Sequence, residues 1–207
     1  MFLGYNNFIM TKTQTFIFVG RSGSGKGTQL ELLRDYLANN YKDTEIKTIV
    51  MGDIFRSFFK ESGFFQDVAR DVSMNQGKFQ PDFLTNALFV KKAIDTIDNK
   101  SFLFFDGYPR NNNQAEIIKE LLNYVGIGEA TVLNIEVSRE NVKNRMIARG
   151  RGDDNEKAIE SRLDEYDKFI IPMLAFIKND PFFKYFDIDG EGTIEDIHKN
   201  IISSLNI

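Results

Sequence analysis

The sequence predicts an α/β fold, a doubly wound, five-stranded parallel sheet wrapped by helices, and three observations carry that prediction. Five short apolar or β-branched runs recur along the 207 residues, each separated from the next by a helical pattern. The first run leads into a glycine-crowded loop with a lysine, and the third is followed directly by an aspartate, Asp106. Such alternation calls for parallel strands with crossover helices on both faces, and it gathers ligands at the carboxyl ends of the strands.

The first strand, Thr15–Val19, runs into Gly20, Gly25 and Lys26 at the G-x-x-x-x-G-K spacing of a phosphate-binding loop. Turns free of side chains let successive backbone N–H groups converge on one anion. A helix over Lys26–Asn39 aims its unpaired N–H groups and positive dipole end at the same point, while the Lys26 ammonium reaches the outer phosphates. A hydroxyl usually follows this lysine. Here Gly27 does, and the hydroxyl arrives one place later at Thr28, so a magnesium contact through it does not follow from the spacing.

After the second strand, Lys47–Val50, the segment 51–101 is far longer than one crossover helix needs. Its helical patterns, Ile54–Ser62, Phe65–Asn75 and Pro81–Ile97, predict a small helical subdomain beside the sheet, with Met51 and the phenylalanine-rich 55–65 stretch as its core. The third strand, Phe102–Phe105, delivers Asp106 to the end of a buried strand, where a carboxylate is costly unless it serves a cation or its water shell. A helix over Asn113–Val125, a strand over Thr131–Val137 and a helix over Arg139–Arg149 follow. Gly150 and Gly152 then break the helical pattern among Arg149, Arg151, Asp153 and Asp154, which predicts a short mobile lid; either aspartate is also placed to cap the next helix, Glu156–Lys178. The last strand is Tyr185–Ile188, and the last helix, Ile194–Leu205, carries His198, expected to be structural or solvated.

Composition excludes several classes. Lysine and arginine total 26 against 30 aspartates and glutamates, a net charge of −4 without a basic run, so no nucleic-acid surface is expected and any anion site must be local. Without cysteine there are no disulfides, thiolate zinc sites or cysteine nucleophiles, and one histidine makes no histidine-rich metal site. The first ten residues lack a basic region and are interrupted by Asn6 and Asn7, unlike a signal peptide or membrane span; no membrane association and a cytoplasmic setting are expected. Met10 offers an alternative start, and residues 1–12 are expected to be peripheral to a single domain over 13–207.

Several segments together resemble the adenylate kinase family. "GRSGSGKGTQ" at 20–29 is similar to that family's "GxPGxGKGTQ", "FLFFDGYPRNNNQAE" at 102–116 to its "DGFPR…Q" segment, and "GDIFR" at 52–56 to its "GDLLR". "RMIARGRGDDNEKAIESRLDEY" at 145–166 resembles the lid, and "DIDGEGT" at 187–193 occupies the place of the adenine-side loop, including Gly192. The resemblance implies the P-loop form of the fold, a nucleoside-monophosphate-binding (NMP-binding) insertion at about 52–81 and a very short lid at about 149–155.

It also implies roles. Gly23, Ser24, Gly25, Lys26, Gly27 and Thr28 would hold the donor phosphates of ATP, with Arg145, Arg149 and Gly192 on the same side. Arg145 and Arg149, four residues apart, share a helix face, so one guanidinium can stack on the donor adenine while the other reaches phosphate. Arg56 and Arg110 would fix the acceptor phosphate, and Arg151 and Arg162, on the lid side, would also bind the acceptor nucleotide. Met51, Gln80, Gly107 and Gln114 would surround the acceptor base. Asp106, with Asp53, would orient Mg2+ through water rather than by direct ligation. Lys26, Arg110, Arg149, Arg151 and Arg162 would carry catalysis, because phosphoryl transfer asks for in-line positioning and charge neutralisation more than for a nucleophilic side chain. A monomer is expected.

Three features depart from the family pattern: Met51 stands where a small or hydroxyl residue precedes "GD", Gln80 replaces an apolar residue, and the lid is shorter than the short form. A glutamine amide, kept or rotated by half a turn, pairs with any of the bases, so Gln114 alone does not select AMP. It does fall four residues after Arg110, as in adenylate kinases, whereas the pyrimidine-specific relatives have asparagine there. AMP is therefore the expected acceptor. A UMP/CMP kinase of the same fold and an ATP-binding switch without turnover stay open as alternatives.

Overall fold

The structure is a computed structural model that describes residues 14–72, 76–150 and 155–207. The expectations for residues 1–12, for Asn75 as a helix end and for Arg151, Gly152, Asp153 and Asp154 in the lid fall outside the described residues.

Five strands, β1 (Thr15–Val19), β2 (Ile46–Val50), β3 (Phe102–Asp106), β4 (Ala130–Glu136) and β5 (Phe183–Asp189), form one sheet in the order β2-β3-β1-β4-β5. Every pairing is parallel. Alternate residues of each central strand face opposite sides, so both sides must be covered. Ile17, Val19, Leu103, Phe105 and Val132 pack with α4 (Asp82–Thr96), α5 (Asn112–Tyr124) and α8 (Ile171–Asn179). Phe16, Phe18, Phe104, Leu133 and Ile135 pack with α1 (Lys26–Asn40), α6 (Arg139–Arg149), α7 (Glu156–Glu165) and α9 (Ile194–Leu205). Among the described residues no helix is long and apolar enough to cross a membrane.

The chain leaves β1 toward β2 on one side and leaves β3 toward β4 on the other, so β1 and β3 flank the point where the winding reverses. A crevice opens there at the carboxyl ends of the strands. The register places Asp106 between Phe18 of β1 and Val50 of β2, at the mouth of that crevice.

Three details differ from the sequence reading. Helix α2 (Met51–Phe58) begins directly after β2 rather than at Ile54, and Met51, expected as core, is buried in the main cluster under the sheet rather than in a separate subdomain core. The helix expected over Glu156–Lys178 is interrupted by a π-helical turn, Tyr166–Ile170, between α7 and α8. The phenylalanine-rich stretch does not form a closed core: Phe64 and Phe65, opening α3 (Phe64–Arg70), are 79% and 60% exposed, and Phe55 lines a cavity.

Candidate active site

The loop between β1 and α1 approaches its neighbours too closely for side chains. Gly20 has φ +148°, and a Cβ there would lie 2.6 Å from the Ile135 carbonyl oxygen; Gly23 has φ +86°, and its Cβ would lie 2.9 Å from the Val142 carbonyl oxygen. No side chain caps α1, which leaves its first N–H groups available. The Lys26 ammonium donates to the carbonyls of Gly20 at 2.8 Å and Arg21 at 3.0 Å. Two of its three hydrogens are thereby used, and the third is available to a ligand.

Desolvation pushes the Lys26 pKa down; Asp106 offsets part of this, and Arg110 and Arg149 add to the lowering. Burial likewise lowers the pKa of Arg110, with Asp106 and Glu165 opposing and Arg162 reinforcing. Cations held this close favour an anionic ligand, which relieves their mutual repulsion.

A cleft of about 1000 Å³ is lined by the loop residues Gly23, Gly25, Lys26, Gly27 and Thr28, and by Asp53, Arg56, Asp106, Gly107, Arg110, Arg145, Arg149 and Arg162. These of the expected donor-side and phosphate-clamping groups therefore face one space, reached from the β1, α2, β3, α6 and α7 segments. Ser24 sits beneath the loop, 1% exposed, and does not line the cleft. Arg145 donates to the Gly190 carbonyl at 3.2 Å. Gly192 is exposed in the turn after β5 and lines neither cavity described here. Arg56 and Asp53 form an ion pair within α2.

A second cavity, of about 330 Å³, shares Phe79, Gly107 and Arg110 with the cleft. Phe55, Phe79 and Phe169 supply aromatic walls, and Gln80, Asp82 and Gln114 bring polar atoms. The Arg110 guanidinium lies 4.5 Å from the centre of the Phe79 ring and donates through Nε to the Gly107 carbonyl. Gln80 is present, but its amide donates to the Ala69 carbonyl at 2.7 Å. Met51 is 1% exposed, packed in the core beside Gly107, and lines neither cavity; an apolar side chain opening a helix under the sheet edge is worth more buried.

Sequence reasoning missed four residues. Arg21, on the phosphate loop, lies 4.6 Å over the Tyr166 ring and donates to Asp167 at 2.7 Å, which ties the loop to the π-helical turn. Glu165, one residue earlier, accepts from the Phe79 N–H at 3.0 Å. Phe79 and Asp82 complete the second cavity. Arg21 and Glu165 lie within segments the sequence singles out, yet their contacts join stretches far apart in the chain and leave no local signal.

Among the described residues no cluster of three or more histidine or carboxylate side chains could hold a metal by itself. Asp106 is nevertheless a carboxylate facing Lys26 and Arg110 across the cleft, a donor set suited to an ion that keeps its waters and takes substrate phosphates.

Residues 18–181 match the family described as adenylate kinase. The chain is 35% identical over 189 residues to an adenylate kinase of Corynebacterium diphtheriae, covering 91% of this chain and 97% of that protein. It is 32% identical over 190 residues to one of Corynebacterium urealyticum, with 92% and 98% covered. A protein of Ureaplasma parvum, also called adenylate kinase, is 30% identical over 212 aligned positions, with 89% and 95% covered.

Proposed function

The chain belongs to the adenylate kinase family, and from that premise we propose that it transfers the γ-phosphoryl group of ATP reversibly to AMP, giving two ADP. The observation that carries the reading is the pair of cavities sharing Arg110: a cation-lined cleft on the phosphate loop, and beside it an aromatic slot containing Gln114.

In this reading the loop amides and the α1 N-terminus hold the donor phosphates, and Lys26 spans toward the transferring group. Arg145 and Arg149 take the donor side, while Arg56 and Arg110 anchor the acceptor phosphate. Arg162, from α7, also lines the cleft and is assigned with Arg151 to the lid side. The arginines neutralise charge spread over the transferring phosphoryl oxygens without covalent chemistry. Asp106, with Asp53, would hold Mg2+ through water. When bound, that ion neutralises charge on the donor phosphates and helps align them. The insertion at 52–81 carries the acceptor side, and the short lid excludes water. The modest net charge without a basic run supports a chain that binds no nucleic acid, and we take it to be a cytoplasmic monomer.

An assay coupled to ADP formation over AMP, UMP, CMP, dCMP and GMP tests the reading. AMP is expected to give the highest kcat/KM. A higher value for UMP or CMP would reassign the chain to its pyrimidine-specific alternative, and ATP binding without turnover of any acceptor would leave only the switch.

A further inference from the structure

Two backbone donors set the direction of two amides in the acceptor cavity. The Gln114 N–H donates to Asn111 Oδ1 at 3.0 Å, so Asn111 must turn its Nδ2 the other way, where it donates to Asp82 Oδ1 at 2.8 Å. The Arg110 N–H donates to Gln114 Oε1 at 2.8 Å, so Gln114 turns its Nε2 to the same Asp82 oxygen, at 2.9 Å. A backbone N–H can only donate and a carboxylate can only accept. Rotating the Gln114 amide by half a turn would set NH2 against N–H and oxygen against carboxylate. With Gln114 only 2% exposed, water cannot repair those losses.

We propose that Asp82 is a specificity-determining positioning residue: it locks the Gln114 amide in the one orientation that accepts an amino-substituted base and rejects a 6-oxopurine. This rests on the reading of the cavity as the acceptor site. Locked, Gln114 has one Oε1 lone pair and one Nε2 hydrogen left. Adenine matches them with its amino hydrogen and ring N1. A 6-oxopurine in the same seat sets O6 against Oε1 and N1–H against Nε2–H, two unpaired contacts at once. Cytosine carries the same amino and ring-nitrogen edge as adenine, so the lock leaves it to be excluded by depth. The free rotation of Gln114 assumed from sequence is thereby replaced by a fixed one.

The test compares kcat/KM for AMP and for IMP, which differ only at this edge, in the wild-type chain, Asp82→Ala and Asp82→Asn. The wild type should prefer AMP by about 100-fold or more. Asp82→Ala should reduce that ratio by about tenfold, and Asp82→Asn, whose carboxamide can rotate, by a few-fold; KM for ATP reports whether the donor side is intact. A purely structural role would lower AMP and IMP together and leave the ratio alone. An AMP/IMP ratio within twofold of wild type in whichever variants fold, or a wild type indifferent to IMP, overturns the lock. A wild type that prefers CMP, which carries adenine's edge, overturns the AMP reading and leaves the lock standing, whereas one that prefers UMP or GMP overturns both, so the two failures are distinguishable.

Discussion

The donor loop and the acceptor cavity solve their binding problems by different means. The donor loop is backbone: positive-φ glycines, uncapped N–H groups and a lysine tethered to two carbonyls within six residues of itself. The acceptor cavity is side chains: Gln114 and Asn111 converge on Asp82, about thirty positions away, between the aromatic walls of Phe55, Phe79 and Phe169. Backbone geometry recognises charge, which every nucleotide shares. Telling one base from another requires amides whose donors and acceptors point a set way, and only a network of fixed partners can supply that.

The comparison makes its largest demand at Lys26. Lys26→Met should lower kcat by about 10³-fold or more, because a desolvated cation at the transferring phosphoryl group acts chiefly on the transition state. Stability should hardly move. The folded pKa of Lys26 lies below the ordinary lysine value of 10.5, so its charge opposes folding in full below the folded pKa, and the penalty fades as pH rises toward 10.5. Methionine removes that penalty at neutral pH but also removes the two hydrogen bonds to carbonyls. The melting temperature should stay within about 4 °C of wild type, near the limit for about 1 kcal/mol in a chain of this size. A folded variant with near-normal kcat would show that the loop is not where transfer occurs.

Gln114→Ala probes the other side with a smaller expected effect. Loss of its paired edge should cost about 1–3 kcal/mol, or about five- to 150-fold in kcat/KM for AMP, with KM for ATP nearly unchanged. An equal effect on both substrates would erase the division between a backbone-built donor side and a side-chain-built acceptor side.

The same division explains what could be read from the sequence. The phosphate loop was legible because its glycines, its lysine and the following helix are contiguous, and the sheet because apolar runs alternate with helical patterns. Asp106 was legible as a charge at the end of an apolar strand. The role of Asp82 was not, since nothing local says that Asn111 and Gln114 will meet it. Met51 was read both as core and, by its position before Gly52, toward the base, and its burial depends on how α2 docks under the sheet edge. Gln80 reaches the cavity, and one of its amide hydrogens goes to the Ala69 carbonyl, a partner that periodicity does not reveal. The π-helical turn at Tyr166–Ile170 escaped because its residues fit an uninterrupted helix equally well.

Arg21 tests how local the donor loop really is. Its guanidinium leaves the loop, lies on Tyr166 and pairs with Asp167, whose other oxygen accepts from Arg139 at 2.9 Å. These contacts join the loop to the turn beside Glu165, which in turn holds Phe79 of the acceptor wall. The side chains of the Arg21–Asp167 pair are 20% and 37% exposed, so solvent screens part of the attraction. Ion pair and ring contact together should contribute about 1–2 kcal/mol, and Arg21→Ala should lower the melting temperature by about 2–8 °C. Activity should suffer less than in the other variants, because the Arg21 carbonyl that holds Lys26 belongs to the main chain and survives the substitution. The expected loss in kcat/KM for ATP is below about tenfold, within what a small misplacement of a positioned group produces. If Arg21→Ala instead approached the Lys26→Met loss in a folded protein, the loop would depend for its shape on the distant π-helical turn. Its apparent self-sufficiency in the sequence would then be the wrong lesson.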